Sequence, residues 1–575
     1  MRCPNCGAEA SDDAWLCAAC GVPLGVESPN LASVSVAGSG GSAAPKYAAP
    51  PPLGLSARPP AARCLACGAP LAIGAAQCAT CGSSASIFGH AKRSAKRRWP
   101  VVVAILGSVV IAAAAAVVAY LLFTSDGPSY PSHWDARVAP IATRVEELRG
   151  LTFEHPVAVN YLSVADFEKR LTSTPEELKK QRRQIEDATA LFRAIGFIGA
   201  KVDLSEAVNE TQAADTIAFY DEQTKAIYVR GNSAFTVETR VTLAHELTHV
   251  LQDQHFDIAK LRKRANDSKT GSSDALTALV EGDAVRIEHK YLNQQTAVDR
   301  KEYTRLSAQS SDQANTRTND IPAVVGTYFS APYVFGPQVV RVLESSGGNA
   351  AINAALTGPT LTTRIYLDPT ATGPAPVPPP APKLQAGEKK VSTSIGDEDD
   401  FDDFTLYLML GARMDRPTAL QAADAYSAGS NVSYRRSGVA CFRAAIVGRT
   451  ASSNAFLRTV LTRWVARMPD AAIDSSGTPI EFHSCDSGSR ATTPSATAVN
   501  EATALAAGRD EIVAEFAGQH IPNDLASCAA RLLVTQPHIR ADILHNTSKT
   551  PRGEVVQLAA NAGRACRANP EAGIP

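Results

Sequence analysis

Residues 244–257 read Ala-His-Glu-Leu-Thr-His-Val-Leu-Gln-Asp-Gln-His-Phe-Asp, and the spacing of the charged and apolar residues in this run decides the fold. Leu243, Ala244, Leu247, Val250 and Leu251 recur at helical spacing and predict one buried face. His245 and His249 are four apart, so a helix sets both imidazoles on one side, about 6 Å apart at Cβ, within reach of a single Zn²⁺. Glu246 adjoins the first histidine and points past the metal, toward a water that it can deprotonate. The pattern is HExxH, the mark of a zinc-dependent peptide hydrolase.

A zinc site of this kind needs a third ligand, and two residues compete. His255 lies six after His249, as in the metzincin pattern HExxHxxGxxH. Gln252, however, occupies the position where that pattern needs glycine to turn the chain. On an unbroken helix His255 would lie about 9 Å further along the axis. The next methionine, Met409, is also too distant for a Met-turn. Glu281, in the run ALVEGDAV on a second predicted helix, is favoured, and a His₂Glu set is the gluzincin arrangement. His255 then has a capping or packing role. Asp253, four after His249, could orient its imidazole. Tyr333 is a candidate for stabilising an oxyanion.

Outward from this run, residues 134–149 and 175–196 predict helices, the second ended by Gly196. VAVNYL (157–162) predicts a strand. TIAFYDEQTKAIYVRG (216–231) predicts a hairpin turning at 221–224, whose edge would align an extended substrate. Residues 272–292 predict the Glu281 helix. The Pro-rich and acidic segment 369–400 reads as a mobile surface loop. Residues 401–490 read as a mixed α/β continuation, with helices, strands at 431–436 and 439–448, a helix at 453–468 and a strand near 479–484. Residues 495–575 read as helical.

The motif in its setting resembles a family of bacterial zincin-like proteins, often membrane-anchored, that are described as metallopeptidases. The resemblance covers roughly 135–490. It rests on AHELTHVLQDQHFD, on FYD and YVRG before it, on ALVEGDA, on Pro332-Tyr-Val-Phe-Gly336, and on Thr362, Thr363, Ile365 and Pro369. It implies a zincin-like domain over 130–368 with Glu281 as third ligand. Two departures bear on substrate handling: AADAYSAG (422–429) stands in place of a Gly/Trp-rich run, and Arg364 in place of a glutamate.

Before the motif, Val101–Phe123 carries no charge and is long enough to cross a bilayer, so residues 99–123 predict a membrane span. Lys92, Arg93, Lys96, Arg97 and Arg98, within the basic segment 84–98, put the N-terminal side in the cytoplasm and residues 124–575 outside. The cysteines divide at the same place. Cys3, Cys6, Cys17 and Cys20 (residues 1–21) and Cys64, Cys67, Cys78 and Cys81 (63–83) form two quartets C-x₂-C-x₁₀-C-x₂-C. Four thiolates at this spacing predict one closed structural zinc site each. The segment 22–62 between them has linker composition. Beyond the span, Cys441, Cys485, Cys528 and Cys566 suit an oxidising compartment. Local pairing within modules predicts Cys441–Cys485 and Cys528–Cys566.

The 575 residues carry a net charge of −1, which nominates neither nucleic acid nor an acidic partner. The expectation is an α+β protein: two zinc ribbons, one transmembrane helix, and an outward-facing zincin-like metallopeptidase domain with a mixed α/β C-terminal part. It would bind one catalytic and two structural Zn²⁺, act on a peptide or protein substrate, and dock a cytoplasmic protein through its ribbons. The rival reading is a non-catalytic sensor or scaffold on the same fold.

Overall fold

The computed structural model describes residues 130–575, apart from 173–174, 206, 208–215, 232–234, 268–271, 318–320, 374–375, 392–399 and 475. The zinc ribbons, the linker, the basic segment and the expected membrane span lie outside the described residues. Among the described residues no helix is long and apolar enough to cross a membrane.

The first layer is a small sheet with helices on it. Helix α1 (Ala139–Arg149) precedes strand β1 (Ala158–Leu162), and α2 (Val164–Leu171) and α3 (Pro175–Ala194) follow. The hairpin is β2 (Ala218–Asp221) and β3 (Ala226–Arg230), turning where the sequence indicates. Sheet order is β1-β3-β2, with β1 parallel and β2 antiparallel to the central β3, so β2 is an edge. Helix α4 (Val237–Phe256) carries the HExxH run. The Thr236 hydroxyl accepts from the Thr239 N–H and starts it, with Glu238 in the first turn. Asp257, at φ 55°, ends it in the left-handed region, which aspartate tolerates better than most residues. Leu243, Ala244, Leu247, Val250 and Leu251 are fully buried in one cluster with Val138, which caps α1, Ile141 and Val145 of α1, and Ile227 and Val229 of β3.

After α5 (Ile258–Asp267) comes α6 (Ser273–Asn293), capped by Ser272, then α7 (Ala297–Arg317) and the long α8 (Ala323–Thr357). The regular dihedrals of α8 break at Gly347–Gly348. Helices α6 and α8 cross at glycines. A Cβ on Gly282 would lie 2.4 Å from the Gly336 carbonyl, and one on Gly336 would lie 2.1 Å from the Ala278 oxygen. Only glycine permits this approach. It brings the residue beside Gly282, Glu281, to the helix that carries Tyr333.

The second sheet is antiparallel throughout, in the order β4-β5-β6-β8-β7: Glu388–Lys390, Tyr426–Arg436, Val439–Gly448, Ile480–Cys485 and Ala471–Ile473. Helices α9 (Asp403–Gly411), α10 (Arg416–Ala425) and α11 (Ala451–Val465) accompany it. Phe401, Phe442, Phe482 and Trp464 fill its interior in edge-to-face and stacked pairs. Helix α3 packs on this sheet, not on the first. Arg193 makes a two-point pair with Asp486 (2.8 Å each), and Ser484 Oγ donates to the Ala194 carbonyl (2.7 Å). Four helices close the chain: α12 (Ala496–Gly518), α13 (Asn523–Thr535), α14 (Pro537–His545) and α15 (Arg552–Ala568). The disulfides are Cys441–Cys485, joining β6 to β8, and Cys528–Cys566, joining α13 to α15.

One expectation needs correction. The insertion 369–400 is not simply a mobile loop, because β4 within it adds an edge strand to the second sheet. Arg443 anchors it, donating to the Lys383 carbonyl (3.1 Å) and to both Glu388 oxygens (3.1 and 3.0 Å).

Candidate metal centre

Helices α4 and α6 bring three donor groups together. His245 Nε2 lies 3.2 Å from Glu281 Oε2, His249 Nε2 lies 3.4 Å from the same oxygen, and the two Nε2 atoms are 3.1 Å apart. Ligands about 2.0–2.1 Å from a tetrahedral Zn²⁺ are separated by about 3.3–3.4 Å. The three observed separations are close to the edges of such a tetrahedron. Among the described residues this is the one group of three or more His, Cys, Asp or Glu able to hold a metal.

The orientation of each imidazole has a cause. His245 Nδ1 donates to Glu288 Oε2 (3.1 Å), and the Tyr303 hydroxyl holds the other Glu288 oxygen (3.1 Å). His249 Nδ1 donates to Gln252 Oε1 (2.9 Å). The Gln252 amide cannot turn round without loss, because its NH₂ donates to the Val280 carbonyl (3.0 Å) and to Asp283 Oδ2 (3.1 Å). Asp283 is fixed in turn by the buried Arg149, at 2.7 Å. With both Nδ1 atoms committed as donors, both Nε2 atoms face Glu281. These outer bonds set tautomer and ring angle, as they do around protein zinc. The donor set and its supports therefore fit Zn²⁺.

Charge in the cluster is mutually supporting. Burial works against ionisation of all three groups. Even so, hydrogen bonds to Glu281 and Glu288 raise His245 well above the usual imidazole range, and the Glu281 charge raises His249. The His249 charge and the histidine hydrogen bonds hold Glu281 well below the usual carboxylate range. Protons and a divalent cation thus compete for the same atoms.

Glu246 stands beside this triangle and outside it. Its Oε2 accepts the Tyr220 N–H of the edge strand β2 (2.8 Å). Burial raises its carboxyl above the usual value, partly offset by His245 and His249. Tyr333, half-buried on α8, hydrogen-bonds Glu281. Burial and the Glu281 and Glu246 charges hold its hydroxyl protonated far beyond neutral pH.

One candidate role changes, and the residue rejected as third ligand stays outside the cluster. Asp253 does not touch His249. It accepts from the Tyr220 hydroxyl (2.7 Å), from Lys225 Nζ (2.5 Å) and from the Ile258 N–H (3.3 Å), and so ties the hairpin and α5 to α4. His255 is exposed on an unbroken helix, with Nε2 2.8 Å from the Thr152 carbonyl, far from the metal cluster. Sequence reasoning missed Glu288, Gln252 and Arg262, whose charge also reaches Glu281 and Tyr333. Glu288 had a readable signal, since it lies seven residues after Glu281 on the same face of α6.

Residues 3–82 match the double zinc ribbon family model, a range that spans both cysteine quartets and supports structural zinc binding there. No curated protein and no solved structure matches the chain.

Proposed function

We propose that the chain is a membrane-tethered zinc metallopeptidase that hydrolyses peptide bonds outside the cytoplasm. The observation that carries this reading is the His245–His249–Glu281 triangle, of tetrahedral edge length, with Glu246 beside it at a sheet edge. Zinc, when bound, would supply Lewis acidity to the attacking water and the scissile carbonyl. The protein's own groups do the rest. Tyr220 N–H fixes one Glu246 oxygen and leaves the other to take a proton from that water and deliver it to the leaving amine. Tyr333, whose hydroxyl burial and the nearby carboxylates hold above its ordinary range, can donate to negative charge developing on the carbonyl oxygen. The outward-pointing backbone of β2 offers an edge on which an extended peptide can lie. The tether and its direction rest on the apolar run 101–123 and the bases before it. Two disulfides on the far side accord with an oxidising compartment. The double zinc ribbon would dock a partner inside.

Three variants test the site. Glu281→Ala should lose the peptidase zinc and His255→Ala should keep it. Glu246→Gln should keep zinc while hydrolysis falls by about 10²- to 10⁴-fold. Metal analysis and cleavage of a peptide library read both. Zinc retained throughout, with no peptide cleaved by the wild type, would make the metal structural and the protein a sensor.

A further inference from the structure

Arg262 has no part in the chemistry above, yet both of its anchors belong to the site. Its Nε and Nη2 donate to Glu222 Oε1 at 3.2 and 3.1 Å, and its Nη1 donates to Thr277 Oγ1 at 3.1 Å. Glu222 directly follows β2, the edge strand whose Tyr220 N–H holds Glu246. Thr277 lies one helical turn before Glu281 on the same face of α6. The guanidinium therefore bridges the end of the edge strand and the helix of the third metal ligand.

We infer that Arg262 is a specificity-determining residue of this site, receiving a carboxylate of the bound peptide, from an Asp or Glu side chain or from a free C-terminus. This rests on the metallopeptidase reading. Glu222 and Thr277 occupy three of the five N–H donors of the guanidinium, and two remain. The side chain is 31% exposed, so a ligand can reach it. Arginine is also the cation suited to two-point recognition of carboxylate. Glu222 directly follows the edge strand that would align the peptide, and Thr277 lies one turn from Glu281, so a carboxylate bound to Arg262 would lie close to the scissile bond.

The test uses the full-length, zinc-loaded protein in detergent, as wild type, Arg262→Gln and Glu222→Gln. Peptides come in matched pairs: Asp or Glu against Asn or Gln at each position near the cleaved bond, and free against amidated C-terminus. KM and kcat are measured for each, together with displacement by peptide hydroxamates of the same sequences. The wild type should favour the carboxylate member of one pair by about 10- to 100-fold, in KM and in hydroxamate binding. The pair that responds tells side chain from C-terminus. Arg262→Gln should abolish the preference by weakening the carboxylate member. Glu222→Gln, which keeps the cation and removes its tether, should retain it. Hydrolysis without a wild-type preference, or a preference that survives Arg262→Gln, would overturn the role of Arg262 and leave the peptidase reading standing. Carboxylate-selective binding without hydrolysis would do the reverse, and absence of both would overturn both.

Discussion

Gln252 shows how much of a metal site can hang on a residue that binds no metal. It occupies the position where a metzincin needs glycine, and in the sequence it serves only to exclude that pattern. In the fold it turns His249, with its amide held in one sense by Val280 and Asp283. Asp253 and Gln252 both lie on the His249 side of α4, at four and three residues' distance, and spacing alone could not choose between them. The choice came from the hairpin, which draws Asp253 to Tyr220 and Lys225. The three candidate ligands were legible because the spacing that one small ion would demand can be read from the sequence. Their supports were not, because any acceptor within reach of Nδ1 would serve. Gln252→Ala and Glu288→Ala should each weaken zinc binding by about 10- to 100-fold in a chelator competition. Asp253→Asn should leave it nearly unchanged. Equal losses in all three would mean that the cluster is held by packing and not by these bonds.

The elements around the motif were legible for a related reason. The hairpin, α4 and α6 each carry a strong period and a clear start or stop. Strand β4 was not legible, because three charged residues in a Pro-rich, acidic segment have no strand pattern; pairing with β5 makes it one, and Arg443 reaching from β6 holds Glu388 in place. Strand β5 begins at Tyr426, five residues earlier than its sequence suggests, in the low-propensity run Tyr-Ser-Ala-Gly. That run is part of the stretch that differs from the pattern of the zincin-like family the sequence resembles, and it touches the other difference, Arg364. Arg364 donates to the Tyr426 and Ser427 carbonyls (3.0 and 3.4 Å) and lies 3.4 Å from Asp403. Asp403 opens α9 in a buried position, and burial pushes its carboxyl up to about 6 despite Arg364. Its folded pKa thus exceeds the unfolded value of about 3.9. The folded state binds this proton more tightly, so stability is lost as pH rises from about 4 to 6, by at most about 3 kcal/mol. Asp403→Asn should remove that slope and be more stable than the wild type at pH 7. Denaturant unfolding at pH 4.5 and 7.5 would check this, and an Asn variant less stable at pH 7 would show the Arg364 pair to dominate.

At the scale of the molecule, one buried core takes in α3, α6, α8, the second sheet and α12, so α6, which carries Glu281, leans directly on the C-terminal half, while α4 packs in a second core with α1 and the first sheet. The disulfides brace that half. Cys441–Cys485 spans 44 residues and Cys528–Cys566 spans 38, and loops of this size stabilise by about 4 kcal/mol each in the chain-entropy model. Replacing Cys528 and Cys566 together by serine should lower the unfolding midpoint without altering zinc content, measured on the purified chain. Four cysteines paired beyond residue 124, and eight in quartets of zinc-ribbon spacing before residue 99, would suit two redox compartments on one chain. If the uncharged run 101–123 spans a membrane, the five bases at 92–98 ahead of it would put the reducing side at the N-terminus. These are independent constraints, one chemical and one electrostatic, and they agree. A reporter active only in the cytoplasm should therefore work when fused before residue 90 and fail when fused after residue 500. A reporter active only outside should show the converse. If both fusions report the cytoplasm, the run 101–123 does not span, and the disulfides would have to form in a reducing compartment, where free thiols at Cys441, Cys485, Cys528 and Cys566 should then be found by alkylation.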